Sequence, residues 1–293
     1  MNFILHQPTT LHQALQHATT YLQNNGIENP GLAAEWTLSH DLACARLELA
    51  SRYNQRLPLE SSQAIQEHIQ RMASSEPLQY VLGETDFMGH LFQVDRRCLI
   101  PRPETEQLTE WILGWTPLWT LPQPAMADVG TGSGCIVITL ALARPHGRYQ
   151  ASDITPEILD LARENAIHHG VSHGIRFYMD NLIKTLPPHS LDAVVSNPPY
   201  VQTHRWEQLP PLIRDYEPRA ALDGGPDGLA VIRSLIAQTT LILKPGGRLF
   251  LEISDDQADA IQHLLLQHGF ADTETREDLA GKIRFITAQR PNP

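Results

Sequence analysis

The sequence predicts an α/β protein in which a parallel sheet is covered by helices on both faces, preceded by a small helical bundle. Three observations predict it. From Pro124 onward, apolar runs of strand length alternate with longer runs at helical spacing, a pattern that gives a parallel sheet sandwiched between helices. A glycine loop, Gly130-Thr131-Gly132-Ser133-Gly134, joins the apolar stretch Ala125-Met126-Ala127 to the apolar run Cys135 to Ala143, which reads as strand, turn and helix. The first 75 or so residues carry helical spacing alone.

Taken in order, Thr10 is placed to cap a helix with Leu11, Ala14, Leu15, Ala18 and Leu22 on one face, ended by Asn25-Gly26. Asn29-Pro30 starts a second helix, with proline in its first turn and Leu32, Trp36 and Ala43 turned inward. A third runs from about Glu60 to Ala73, with Ile65, Ile69 and Met72 at helical spacing. Short alternating runs around Gly83, Gly89 and Asp95-Arg96 read as a hairpin. Pro101-Arg102-Pro103 then opens a helix from Glu104 to Leu113, and Arg102 either holds a carboxylate or ties the linker down. Strands are expected near 125–129, 149–153, 175–179, 191–196, 247–253, 270–276 and 283–289, with helices in most gaps between the first five. The last two strands follow each other closely, which suggests a hairpin and one antiparallel strand. The resulting division is a helical domain over 1–75, a hairpin linker over 76–100 and an α/β domain over 101–293.

Chemistry concentrates at the ends of the expected strands, where open α/β sheets bind ligands. Asn197-Pro198-Pro199-Tyr200 follows the apolar strand Leu191 to Ser196. Asn offers a carbonyl oxygen and an NH2 group, while two prolines remove backbone donors and stiffen the chain. Such a site suits an amide or exocyclic amine held by its N–H bonds; a simple turn is the plainer reading of the same four residues. The glycine loop lets the backbone approach a ligand closely and opens a helix whose free N–H groups suit an anion, although a plain turn explains it too. Asp153 ends the second strand, about 20 residues past the glycines, where a carboxylate can accept both hydroxyls of a ribose. It is equally placed to cap the helix Pro156 to His169. The long connection Val201 to Pro226 either walls the substrate side or merely covers the sheet.

Composition narrows the function classes. The chain has 293 residues, 42% hydrophobic and 19% charged, as in a water-soluble globular protein. No apolar run approaches the roughly 18 residues of a membrane helix. The stretch Met1 to Leu5 is too short for a signal peptide. Cys44, Cys98 and Cys135 lie far apart, which argues against a disulfide framework or a structural metal and for a reducing cytoplasm. A net charge of −11 argues against a chain whose main task is gripping a nucleic acid backbone, and suits a protein substrate with a basic surface.

These motifs together resemble the class I S-adenosylmethionine-dependent methyltransferases and, more narrowly, the release factor glutamine methyltransferases. The resemblance covers nearly the whole chain. It is carried by Pro77 to Gly83, Leu99 to Glu106, the Gly130 to Gly134 loop, Ser196 to Tyr200, Tyr216 to Leu222, Gly224 to Leu229 and Leu251-Glu252-Ile253. It implies a seven-stranded Rossmann-like sheet and methyl transfer from S-adenosylmethionine to the side-chain amide of the glutamine in a Gly-Gly-Gln tripeptide. Peptide chain release factors are the implied partners, with no direct nucleic acid binding and no membrane. The residues from Gly130 to Gly134 would then carry the methionine end of the cofactor and Asp153 its ribose. Asp180-Asn181 would lie by the adenine, although many relatives have a large apolar residue where this chain has Asn181. Ser254 likewise replaces an expected glycine. The resemblance makes Asn197, Pro198, Pro199 and Tyr200 the substrate clamp, with Tyr200 packing on the planar amide, and the helical domain a substrate-engaging module, although the residues of that domain alone read as a packing or stabilising bundle.

Three other readings stand beside this one. A ribosomal-protein glutamine methyltransferase would use the same site, though the run Pro101 to Glu106 favours the release-factor class. A DNA or RNA amino-methyltransferase shares the Asn-Pro-Pro-Tyr piece but calls for a basic groove. A cofactor-binding regulator with a dead site is disfavoured by the intact tetrapeptide.

Overall fold

The computed structural model describes residues 3–5 and 8–292. The first two residues of the short apolar start, Met1 and Asn2, lie outside them. The chain divides into two compact units: Met1–Glu84 with Pro210–Tyr216, and Thr85–Leu209 with Glu217–Pro293.

The first unit is helical. Helix α1 (Leu11–Asn24) begins at a capping box in which Thr10 and Gln13 satisfy each other's backbone N–H groups. Leu11, Ala14, Ala18 and Leu22 on its buried face join a core with Ala34 and Leu38 of α2 (Pro30–Asp41) and Ile65, Ile69 and Met72 of α3 (Leu59–Ala73). Helix α2 is rotated from the expected orientation. Its small residues Ala33 and Ala34 are buried with Thr37 and Leu38, while Leu32 and Trp36 are exposed and Ala43 lies beyond the helix end, also exposed. The Arg46 guanidinium covers the outward Trp36 ring at 5.3 Å. Asp41 bridges α2 and α3 through 2.9 Å contacts to the Nδ1 atoms of His40 and His68. A short helix, α4 (Leu78–Leu82), follows; the sequence reading did not foresee it, since five residues show little periodicity.

Strands β1 (Glu84–Phe87) and β2 (His90–Gln93) form the expected hairpin. Helix α5 (Pro103–Gly114) and the single turn α6 (Thr116–Trp119) lead into the α/β unit. There β3 (Ala125–Val129), α7 (Cys135–Ala143), β4 (Arg148–Asp153), α8 (Pro156–His168), β5 (Ile175–Met179) and β6 (Leu191–Ser196) alternate as read from the sequence. The turn α9 (Pro211–Arg214) belongs to the first unit, and α10 (Ala230–Ile242), β7 (Leu243–Glu252), α11 (Ala258–Gln267), β8 (Ala271–Glu277) and β9 (Ile283–Gln289) complete the second.

The sheet has seven strands in the order β5-β4-β3-β6-β7-β9-β8, parallel except for β9, which runs antiparallel to both neighbours. Successive residues of β3 serve opposite faces, as the two-residue period of a strand requires. Ala125, Ala127 and Val129 pack into a core with α10 and α11, and Met126 into one with α5 and α7. Because both faces are covered, β6 is apolar almost throughout. The order reverses between β3 and β6, so their carboxyl ends open the crevice where ligands bind in such sheets.

No described helix is long and apolar enough to cross a membrane.

Candidate active site

The crevice holds a cavity of about 280 Å³. Gly130, Thr131, Gly132, Ser133, Asp153, Asp180, Asn181, Asn197 and Pro199 line it, so residues from four of the sequence features converge on one space. Gly134, Pro198 and Tyr200 are not in its wall.

The glycine loop needs its glycines for backbone conformation. Gly130, Gly132 and Gly134 have φ of 70°, 55° and 83°, a region that costs other residues energy. Gly130 and Thr131 N–H both donate to Ser152 O at the end of β4, at 2.9 and 3.0 Å. Asp153 holds the loop from the other side: its Oδ2 accepts from Gly132 N at 2.9 Å and its Oδ1 from Ile154 N at 2.8 Å. The helix-cap reading of Asp153 does not hold, because Thr155 is the N-cap of α8. Burial raises the Asp153 pKa, and the two backbone hydrogen bonds oppose that shift. Asp128 lies beneath the loop and accepts from Thr131 Oγ1 at 2.7 Å; full burial pushes its pKa up to about 7.

Asp180 lines the cavity and has one buried carboxylate oxygen without a partner. Its Oδ2 accepts from Thr185 N and Oγ1, whereas its buried Oδ1 has no hydrogen-bond partner among the described residues. Asn181 is exposed, and the apolar residue beside it in the wall is Leu182, joined by Ile154 and Ile158. Sequence reading missed Leu182 because its place depends on the turn after β5, where it has φ 71°.

The tetrapeptide is built differently from a free turn. Asn197 Nδ2 donates to Thr105 Oγ1 at 3.0 Å, and Thr105 Oγ1 donates to Glu252 Oε2 at 2.7 Å. The Asn197 carbonyl oxygen is therefore the free end of its amide. Tyr200 does not face the cavity. Its ring packs on the core, and its hydroxyl donates to Glu252 Oε1 at 3.3 Å. Burial raises the Tyr200 pKa, and the nearby Glu252 adds to the rise.

The connection after Tyr200 encloses this segment. Pro218, Ala220 and Ala221 line the cavity, which excludes a mere cover for the sheet. Asp223 knots the connection by accepting from Thr203 Oγ1 at 2.7 Å, from Gly225 N at 3.0 Å and from Arg219. Arg102 meets a carboxylate of the protein itself: it pairs with Glu217, whose side chain is fully buried and also accepts from Ile100 N at 3.3 Å. Ser254 sits in a turn where its N–H donates to Gln257 Oε1 at 3.2 Å, and it lacks the positive φ that would require glycine. Gln257 Nε2 in turn donates to Tyr200 O at 3.1 Å and to Gly228 O at 3.2 Å.

Gly228 is the tightest point of this packing. A Cβ there would stand 2.4 Å from Tyr200 O, at a φ of 74°. Gly228→Ala is expected to destabilise the protein by about 1–3 kcal/mol and to slow turnover by displacing the tetrapeptide. Denaturant unfolding and a rate measurement on the same preparation check both effects; an unchanged midpoint would show that the loop simply moves aside.

The fold and crevice suit a methyltransferase, and the comparisons show that the chain is one. Residues 13–83 match the family model of the PrmC N-terminal domain and residues 118–209 that of the methyltransferase small domain. The α/β fold is shared with a methyltransferase from Pyrococcus furiosus, with a TM-score of 0.50 and 17% identity, covering 68% of this chain and 88% of that one. Two relatives are similar along nearly their whole length. The release factor glutamine methyltransferase of Geobacter sulfurreducens is 37% identical, covering 94% of this chain and 95% of the relative. That of Moorella thermoacetica is 38% identical, covering 96% and 99%. The chain belongs to the release factor glutamine methyltransferase family.

Proposed function

We propose that the protein transfers a methyl group from S-adenosylmethionine to the side-chain amide nitrogen of the glutamine in the Gly-Gly-Gln motif of peptide chain release factors. The observation that carries this reading is the orientation of Asn197. Its NH2 group is engaged by Thr105, so it offers an acceptor to the cavity, as a site for an N–H-bearing nitrogen needs.

The wall fits the cofactor. The unpartnered Oδ1 of Asp180 is suited to an amino group such as that of adenine, with Leu182 and Ile154 as apolar cover. Each Asp153 oxygen has a lone pair left for a ribose hydroxyl after accepting one backbone N–H. Gly130 to Ser133 line the remaining side, for the methionine end. When bound, S-adenosylmethionine supplies an electrophilic methyl group on a sulfonium, so no metal is required.

An amide nitrogen is a poor nucleophile because its lone pair is delocalised into the carbonyl. The protein's task is to hold that nitrogen in line with the methyl group. Asn197 Oδ1 and the Pro198 carbonyl oxygen accept its two N–H bonds. As the nitrogen becomes positive, these fixed dipoles bind it more strongly than in the ground state, which lowers the barrier. Tyr200, tied to Glu252, stiffens the segment from behind rather than stacking on the amide. The helical module over 1–75 reads the protein substrate, since a pocket for one amide cannot distinguish among glutamines.

Asp153→Ala is expected to weaken cofactor binding by about 1.5–3 kcal/mol, the loss of hydrogen bonds to a charged group. Because Asp153 also holds Gly132, Asp153→Asn is the milder control and should retain part of the affinity. Calorimetry giving equal affinities for wild type and Asp153→Ala would remove Asp153 from the site. The function itself is tested with labelled S-adenosylmethionine in a whole-cell lysate from a strain lacking this activity. Label should appear in one protein band at release-factor size and vanish when the tripeptide glutamine is replaced. Label in nuclease-sensitive material, or in a ribosomal protein, would favour the alternative substrates.

A further inference from the structure

Asn197 is useful only if its oxygen, and not its NH2 group, faces the substrate. Both orientations of a side-chain amide fill the same volume, so something outside Asn197 must choose between them. The choice is visible in the hydrogen-bond chain behind it. Thr105 Oγ1 has a single hydrogen. An ionised carboxylate can only accept, so Glu252 Oε2, at 2.7 Å, takes that hydrogen. Thr105 Oγ1 is then left with lone pairs alone and requires a donor from Asn197 at 3.0 Å, which can only be Nδ2. Glu252 is fully buried, and Thr105 is buried at the edge of the cavity.

We propose that Glu252 and Thr105 are positioning residues that set the amide of Asn197 oxygen-outward, and that turnover depends on the charge of Glu252 for this reason. The proposal rests on the reading of Asn197 as a clamp for the substrate amide. It extends that reading to Thr105, which stands in the cavity wall behind Asn197, and to Glu252, which does not line the cavity.

The chain reverses when Glu252 takes a proton. A carboxylic acid can donate to Thr105 Oγ1, which frees the threonine hydrogen to point at Asn197. The stable partner is then Asn197 Oδ1, and the NH2 group turns toward the cavity. There it meets the N–H bonds of the substrate amide donor to donor, and the nitrogen is no longer held. The setting makes this protonation accessible. Glu252 is fully buried on β7, which pushes its pKa up to about 7. Around it, Glu104 on α5 raises the pKa further, whereas Thr105 on α5, Tyr200 after β6 and Arg284 on β9 lower it. Arg284 is occupied elsewhere, with Ile253 O and Asp278, and does not pair with Glu252 directly.

The geometry also gives the run Pro101 to Glu106 a reason to sit beside the tetrapeptide. Arg102 fastens the run to Glu217, and the next turn then carries Thr105 to Asn197.

The test is single-turnover kinetics at saturating substrate and cofactor, with cofactor affinity measured separately by calorimetry. Thr105→Val keeps the shape and removes the hydroxyl. It is expected to lower the rate about 10–100-fold, the scale of a misoriented reacting group, with cofactor affinity within about twofold. Thr105→Ser restores the relay and should return the rate to within about threefold of wild type. The wild-type rate should fall on the acid side of about pH 7, and Glu252→Gln, which cannot titrate, should lack that limb. Burial also raises the Asp128 pKa to about 7, but Asp128 remains intact in Glu252→Gln, so the comparison isolates Glu252. A Thr105→Val enzyme within about twofold of the wild-type rate would overturn the proposal, as would an acid limb that survives in Glu252→Gln. So would a Thr105→Ser enzyme as slow as Thr105→Val, since packing rather than the hydroxyl would then be at issue. Asn197→Ala is run alongside: if it turns over normally, the clamp reading itself fails. If it is inactive while Thr105→Val is not, only the positioning role fails.

Discussion

Asn197→Ala is expected to lower kcat by about 100–1,000-fold, the range seen when one preorganised group aimed at developing charge is removed. Cofactor affinity should change little, because the carbohydrate and purine contacts proposed here come from Asp153 at the end of β4 and Asp180 just past β5. The fold should also survive: Asn197 is only partly buried, and Thr105 keeps Glu252 as its partner. Asn197→Asp should be poor as well. A carboxylate keeps an acceptor but loses the NH2 group that Thr105 holds, and it places a charge close to a second buried carboxylate, Glu252. Near-normal single-turnover rates in Asn197→Ala at saturating substrate would contradict the clamp.

The second large effect is on stability. Arg102→Ala is expected to cost about 3–5 kcal/mol, because it leaves the carboxylate of Glu217 buried without its cation. Glu217→Ala should cost less than Arg102→Ala, since Arg102 keeps about a third of its side chain in solvent and can be hydrated. Replacing both by apolar residues of similar volume should recover much of the loss, as it does for other buried pairs. Chemical denaturation of the wild type, Arg102→Ala, Glu217→Ala and the double alanine variant forms a double-mutant cycle, and purely additive changes would show that the pair is not coupled. The pair also joins the start of α5 to the Pro218 segment of the cavity wall, so the single variants should lose cofactor affinity along with stability.

Much of the α/β unit is legible in its residues. Strand β6 is apolar on both faces and ends at a polar Ser-Asn pair, so its limits and its site are both visible. The glycine loop and Asp153 are legible in a similar way: the loop directly follows the apolar strand β3, and Asp153 is the acid that ends β4. Strand β7 starts earlier than the expected 247–253: with a register shift in its pairing with β6, it reaches back to Leu243. Helix α2 was misjudged because its large residues suggested the buried face, whereas the bundle core takes its alanines. The Thr105–Glu252 contact was out of reach. It joins residues 147 apart through the packing of α5 on the sheet, and no local pattern reports it. Tyr200 was misassigned because an aromatic beside a proline pair looks like a stacking platform until its hydroxyl is seen to be taken.

The most direct measurement of the central claim uses purified release factor, the protein described here and S-adenosylmethionine, followed by tandem mass spectrometry of the Gly-Gly-Gln peptide. The account predicts a single added methyl group on the side-chain nitrogen of the glutamine, formed by the wild type and lost in Asn197→Ala. A methyl group on any other residue, or an unmodified glutamine after complete conversion of the cofactor, would contradict it.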